Sequence, residues 1–197
     1  MPRIEYFLST ISPYTYLAGQ RLEQIAARHG AQIDYKPLDM LALFPRMGGA
    51  VLEDRHIARR EYRLQELRRQ AAKAEVPINL SPAFFPVNAA PSSYAVIAAQ
   101  RAGGGDLGAL VAGFTRACWA EERDISSDAV VRDCLTAAGF DPGLADRGML
   151  ASAETYAANL EDATRRGVFG VPFYITGNDE RFWGQDRLAD LEGYLAG

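Results

Sequence analysis

Cysteine and histidine are scarce in this 197-residue sequence, which has two of each. Cys118 and Cys134 lie far apart in helix-like segments, so no CxxC redox pair and no cysteine-based metal cluster is encoded. Both are expected as small buried side chains, and no metal site is expected. His29 and His56 have no acid–base partner beside them in sequence and read as surface or core residues. Excess positive charge is also lacking. With 21 basic against 25 acidic residues and a formal charge of −4, neither nucleic acid nor an anionic membrane is the expected partner, since both call for a cationic face. No apolar run approaches the roughly 20 residues that cross a bilayer. The opening Met1-Pro2-Arg3-Ile4-Glu5-Tyr6-Phe7-Leu8 has an early acid and too short an apolar run for a secretory leader. The expectation is a cytoplasmic protein whose partner is a small molecule.

What is present can fill a core: 48% of residues are hydrophobic and 10% aromatic. Ile4 to Leu8 reads as a buried strand. Ser12-Pro13 then opens a helix, with a cap residue before proline at the first helical position. Tyr14, Leu17, Ala18, Leu22, Ile25 and Ala26 continue it at helical spacing to His29, and Gly30 is placed to end it. Ala31, Ile33 and Tyr35 alternate with polar residues, the period of a strand with one buried face. From about Leu41 to Arg166 the pattern is helical, apart from a connector carrying Pro77, Pro82, Pro86 and Pro91. Helices are predicted at 53–75, 92–102, 107–121, 127–138 and 152–166. Residues 172–176 and 181–183 read as strands joined by a turn at Gly177-Asn178, and 185–195 as a closing helix. The layout is α/β: β-α-β, an all-α insertion, then β-β-α. It divides the chain into 1–40 plus 167–197, which share one sheet, and a helical insertion at 41–166.

Four segments carry possible chemistry. Ser12-Pro13-Tyr14 sits where a strand feeds a helix; Ser12 either caps that helix or donates its hydroxyl proton to an anion favoured there. In Gly167-Val168-Phe169-Gly170-Val171-Pro172-Phe173, Pro172 either begins a strand in the ordinary trans form or is cis and presents the preceding backbone to a ligand. In Gly184-Gln185-Asp186-Arg187, Asp186 either caps the last helix or holds a ligand ammonium. The mixed-charge stretch from Arg55 to Lys73 reads as a solvated helix face. Within it Arg59 and Arg60, beside Tyr62 and the small Ala58, are the candidates to face a ligand carboxylate.

Taken together, Ser12 to Ala18 (Ser-Pro-Tyr-Thr-Tyr-Leu-Ala), Phe85-Pro86-Val87-Asn88, Trp119 to Ile125, Gly170-Val171-Pro172 and Phe182 to Leu188 resemble the 2-hydroxychromene-2-carboxylate isomerases. The related kappa-class glutathione transferases, in the DsbA-like branch of the thioredoxin superfamily, are similar too. The resemblance spans nearly the whole chain and implies a thioredoxin-like domain interrupted by helices, glutathione as cofactor, an aromatic small-molecule substrate and a homodimer. It implies that Ser12 contacts the glutathione sulfur and that a cis Pro172 lets Val171 bond the tripeptide backbone. Gln185 and Asp186 would hold the γ-glutamyl end, and Asn88 joins Arg59 and Arg60 on the substrate side. Where the family has an asparagine in the first inter-domain loop, this sequence has Gly48-Gly49.

The implied activity is isomerisation of an unsaturated aromatic 2-oxo acid, or its cyclic hemiketal, by reversible thiolate addition. The alternatives are a kappa-like glutathione transferase and a DsbA-like binding module without its cysteines. Disulfide exchange is not expected, because the helix start reads Ser12-Pro13-Tyr14-Thr15 where redox relatives carry CxxC.

Overall fold

A computed structural model describes residues 1–197. Strand β1 (Arg3–Leu8) leads into α1 (Pro13–Ala18) and α2 (Arg21–His29), and β2 (Gln32–Pro37) returns parallel to β1. The helical insertion holds α3 (Met40–Arg46), α4 (Ile57–Ala74), α5 (Ala90–Ala102), α6 (Leu107–Trp119), α7 (Asp128–Ala137) and α8 (Met149–Arg165). Strands β3 (Phe173–Thr176) and β4 (Arg181–Trp183) and helix α9 (Leu188–Ala196) complete the chain. The sheet order is β2-β1-β3-β4, with β3 antiparallel to both neighbours. The two ends of the sequence therefore share one sheet, and all its strands lie outside the helical insertion.

Register organises each face of the sheet. Tyr35, Tyr6, Tyr174 and Phe182 lie opposite one another in successive strands, and the Tyr6 and Tyr174 rings stack at 5.2 Å. The neighbouring row is Lys36, Phe7, Phe173 and Trp183. Side chains alternate along each strand, so a one-residue slip would exchange the two rows. Trp183 is thereby placed on the sheet edge, half exposed and edge-on to Phe169 at 4.8 Å.

Two helices differ from the sequence expectation. The first is broken at Gly19, whose φ of 56° and ψ of −138° leave the helix, and α2 restarts at Arg21. Apolar spacing continues through the break, which hides it in the sequence. Helix α3 was not among the predicted helices; Asp39 caps it by accepting from the Leu41 and Ala42 amides, and its seven residues are too few for a periodic signal.

The Lys36 ammonium bridges Glu5 at 2.6 Å and Asp162 at 2.7 Å, tying β1 and β2 to α8. Arg166 also pairs with Glu5. Burial alone would raise both carboxyls, but hydrogen bonds from Lys36, and for Glu5 also from Arg166, outweigh it and hold them below the usual carboxylate range. Stability from these pairs is complete above the ordinary carboxylate pKa and is lost as pH falls through the depressed values. Lys36→Met should cost about 3 kcal/mol, the low end for removing one partner of a buried pair. At 2–4 °C per kcal/mol for a chain of this size, the melting temperature should drop by roughly 6–12 °C. The deficit should shrink on acidification, because a buried carboxylate without its cation prefers its proton. Thermal melts at neutral pH and near pH 4 test this, and a deficit that widens in acid would contradict it.

Candidate functional site

The site begins where β1 hands the chain to α1. The Ser12 amide donates to the Ser9 carbonyl at 3.0 Å, and Trp119 Nε1 of α6 donates to the Ile11 carbonyl at 3.2 Å. These bonds fix the turn from both sides. Ser12 Oγ accepts from the Thr15 amide at 3.3 Å, the capping bond. Its own proton faces the Val171 carbonyl at 3.5 Å, too long for a strong bond. Of the two roles left open above, the structure shows the cap on α1; the hydroxyl's own proton has only this long contact.

Ser12 is 1% exposed, yet it lines a cavity of about 400 Å³, within the size range of small-molecule sites. Val171 forms the next stretch of wall, and the Val171–Pro172 peptide is cis. Phe85–Pro86 is cis as well. Gly170 and Trp183 line the cavity side by side; a Cβ on Gly170 would sit 2.6 Å from Trp183 Nε1, so glycine lets the indole close over the loop.

The γ-end candidates arise from a turn that only glycine can make. Gly184 has φ 111° and ψ 155°, and a Cβ there would meet Asp186 Oδ1 at 2.5 Å, so a side chain would displace the carboxylate. The Gly184 amide donates to the Pro172 carbonyl at 3.0 Å, binding this turn to the Val171-Pro172 segment. The Gln185 carbonyl accepts from Arg21 at 3.0 Å, and Arg21 also donates to Leu17 and Ala18. One arginine thus joins the end of α1 to this turn. Gln185 is buried, Asp186 is exposed, and both line the cavity.

No intrinsic thiol competes for this position. Burial pushes the Cys118 thiol up to about 12 and the Cys134 thiol up to about 11. Neither lines the cavity.

The DSBA-like thioredoxin domain model matches residues 3–196. A 2-hydroxychromene-2-carboxylate isomerase of Sphingobium xenophagum is 30% identical over 195 residues, covering 98% of this chain and 97% of that one. The chain belongs to this isomerase branch of the DsbA-like thioredoxin family. A Pseudomonas putida protein of the same name is 28% identical, with 98% and 93% covered. A solved 2-hydroxychromene-2-carboxylate isomerase superposes with a TM-score of 0.77 at 26% identity, covering 98% of this chain and 94% of the other. At 21% identity and a TM-score of 0.69, the cytosolic disulfide reductase DsbM of Pseudomonas aeruginosa with GSH shares the fold, with 98% and 97% covered.

Within this isomerase-family fold, the expected residues divide in two. Ser12, Val171, Gln185 and Asp186 line one cavity; Pro172, next to Val171 in sequence, does not line it. Arg59, Arg60 and Asn88 do not line it. Arg59 and Arg60 are exposed on α4, Tyr62 turns its hydroxyl to Glu66 at 3.4 Å, and Asn88 is exposed with Oδ1 accepting from the Ala90 amide at 3.0 Å. The cavity arginines are instead Arg55, Arg63 and Arg187, the last paired with Asp186 and Asp190. Leu67 and Ala71 are the buried residues of α4, and one turn before Leu67 on that face is Arg63. That i, i+4 spacing was the available signal. Tyr14 beside Ser12, Leu41 and Phe44 of α3, Leu52, Phe85 and Trp183 also line the cavity; none was predicted, because they come from five separate segments.

Proposed function

We propose that this protein is a glutathione-dependent isomerase acting on an unsaturated aromatic 2-oxo acid or its cyclic hemiketal. The observation that carries the reading is the Ser12 hydroxyl, poorly satisfied by the Val171 carbonyl and lining a cavity with no thiol of its own. The supporting comparison is with the 2-hydroxychromene-2-carboxylate isomerases.

Ser12 acts on a nucleophile supplied from outside. A thiol of pKa about 8.5 is only about 3% ionised at pH 7. A hydrogen bond to the charged form contributes roughly 1.5–3 kcal/mol, lowering the pKa by about one to two units at 1.36 kcal/mol per unit. In this reading the tripeptide lies with Asp186 and Gln185 at its γ-glutamyl end, the Val171 backbone beside its middle and Ser12 at the sulfur. Addition of thiolate to the conjugated carbon forms a C–S bond and moves the π pair onto the carbonyl oxygen as an enolate. The former double bond is then single and rotates. Elimination re-forms it, breaks the C–S bond and returns the thiolate, so glutathione is not consumed.

The test is a spectral assay with 2-hydroxychromene-2-carboxylate, with and without glutathione. Turnover that requires glutathione while free thiol stays constant is expected. Equal turnover in both conditions would end the mechanism, and thiol lost in proportion to product would mark a transferase.

A further inference from the structure

The cavity contains two cations that the protein leaves unpaired. The Arg63 guanidinium is half-buried and lies 5.8 Å from both the Phe85 and Trp119 ring centres. Burial lowers its pKa, and the charged or ionisable groups acting on it are Tyr14 and Arg55, neither of them a carboxylate. Arg55 uses its Nε on the Ala50 carbonyl at 2.9 Å and lies over the Phe44 ring at 5.3 Å; the groups acting on its charge are Arg59, another cation, and Tyr14, neither of them a carboxylate. Elsewhere in the chain, comparably buried cations are answered: Lys36 sits between two carboxylates, and Arg166 pairs with Glu5 and Asp179. Of the two carboxylates that line the cavity, Glu66 is held by Arg69 at 2.7 Å and Gln70 at 2.6 Å, and Asp186 lies 3.4 Å from Arg187.

Two guanidiniums facing an apolar-walled cavity repel each other and are partly stripped of water, an arrangement that an anion between them relieves. Arg55 lies over the Phe44 ring and Arg63 near the Phe85 ring, and a guanidinium is a planar fork of donors that favours a planar, bidentate acceptor over a spherical one. At the β4–α9 turn the Asp186 carboxylate has Arg187 3.4 Å away, whereas Arg55, just before α4, and Arg63, within it, have no carboxylate partner.

We infer that Arg63 and Arg55 form a carboxylate receptor for the electrophile, making the site selective for planar unsaturated acids over neutral aromatics of the same shape. This deepens the proposed isomerase reading, and one arm of its test does not depend on glutathione.

The experiment compares the full-length chain with Arg63→Leu, Arg63→Lys and Arg55→Gln. Turnover is measured with 2-hydroxychromene-2-carboxylate and with its methyl ester, glutathione affinity by calorimetry, and binding of cinnamate and cinnamyl alcohol without glutathione. In Arg63→Leu, kcat/KM for the acid should fall by about tenfold or more, the scale of a lost charge-assisted hydrogen bond. The ester rate and glutathione affinity should stay unchanged. Arg63→Lys should restore part of the acid activity, and Arg55→Gln should show a smaller loss of the same kind. Wild type should bind cinnamate more tightly than the alcohol, and Arg63→Leu should erase that preference. Equal losses for acid and ester would reduce Arg63 to a wall residue. A matching loss of glutathione affinity would assign the arginine to the tripeptide's own glycine carboxylate. Either result, or no wild-type preference for cinnamate, overturns the receptor. If wild type fails to use glutathione yet prefers cinnamate, the receptor stands and the isomerase mechanism falls.

Discussion

Ser12→Ala is expected to leave the fold standing and to move the acid limb of the activity profile up by about one to two pH units, the thiol shift set by a hydrogen bond to the charged form. Two effects oppose each other in the rate. Without the hydroxyl, less bound glutathione is ionised at a given pH. The thiolate that remains is more basic and so more nucleophilic, with a Brønsted slope of about 0.4–0.5. Well below both pKa values the first effect wins, and turnover near pH 6 should fall by roughly 3- to 15-fold. At alkaline pH, where both proteins carry ionised glutathione, the deficit should close or reverse. Bound thiolate absorbance, titrated in parallel, should show the same displacement. The lost cap to the Thr15 amide should cost about 1 kcal/mol, a few degrees in melting temperature. A deficit of equal size at every pH, with unshifted thiolate absorbance, would confine Ser12 to capping and positioning.

Asp186→Ala should act on affinity and leave the pH profile in place. An ammonium hydrogen-bonded to a carboxylate is worth roughly 1.5–3 kcal/mol, but Asp186 is exposed and water and salt screen it. The expected loss is therefore at the low end, about tenfold in glutathione Kd. Gly184 leaves room for the carboxylate and Arg187 lies 3.4 Å from it, so the equally sized Asp186→Asn should keep the geometry while losing the charge. Its affinity should fall between the other two. Raising ionic strength should weaken wild-type binding and leave Asp186→Ala nearly unaffected. Calorimetry with glutathione decides this, and an unchanged Kd in Asp186→Ala would remove the residue from the ligand's γ-glutamyl end.

The residues legible from the sequence are those whose backbone needs a special residue type. Ser12-Pro13 is a helix entrance in any context, and its cap bond is present. Gly170-Val171-Pro172 and Gly184-Gln185-Asp186 sit at turns that glycine and proline punctuate, and all three segments meet in one cavity. Arg59 and Arg60 do not line the cavity, and the sequence could not show this because a charged helix carries little information about which face it buries. Every position from Glu53 to Lys73 was plausibly solvated, and the choice turned on where Leu67 and Ala71 pack. Helix α3 was missed for a similar reason: it is short, yet it supplies Leu41 and Phe44 to the wall.

Local chemistry along the chain was enough to determine the four strands, most of the helices, the all-α insertion, the helix-capping hydroxyl and the absence of a redox pair, since each depends on residue type within a few positions. Tertiary structure alone decided the β2-β1-β3-β4 order, the meeting of Ser12 with Val171 across 159 positions of sequence, and the choice of Arg55 and Arg63 for the cavity. Those outcomes depend on which surfaces bury one another, and burial is a property of the assembled core that no single segment carries.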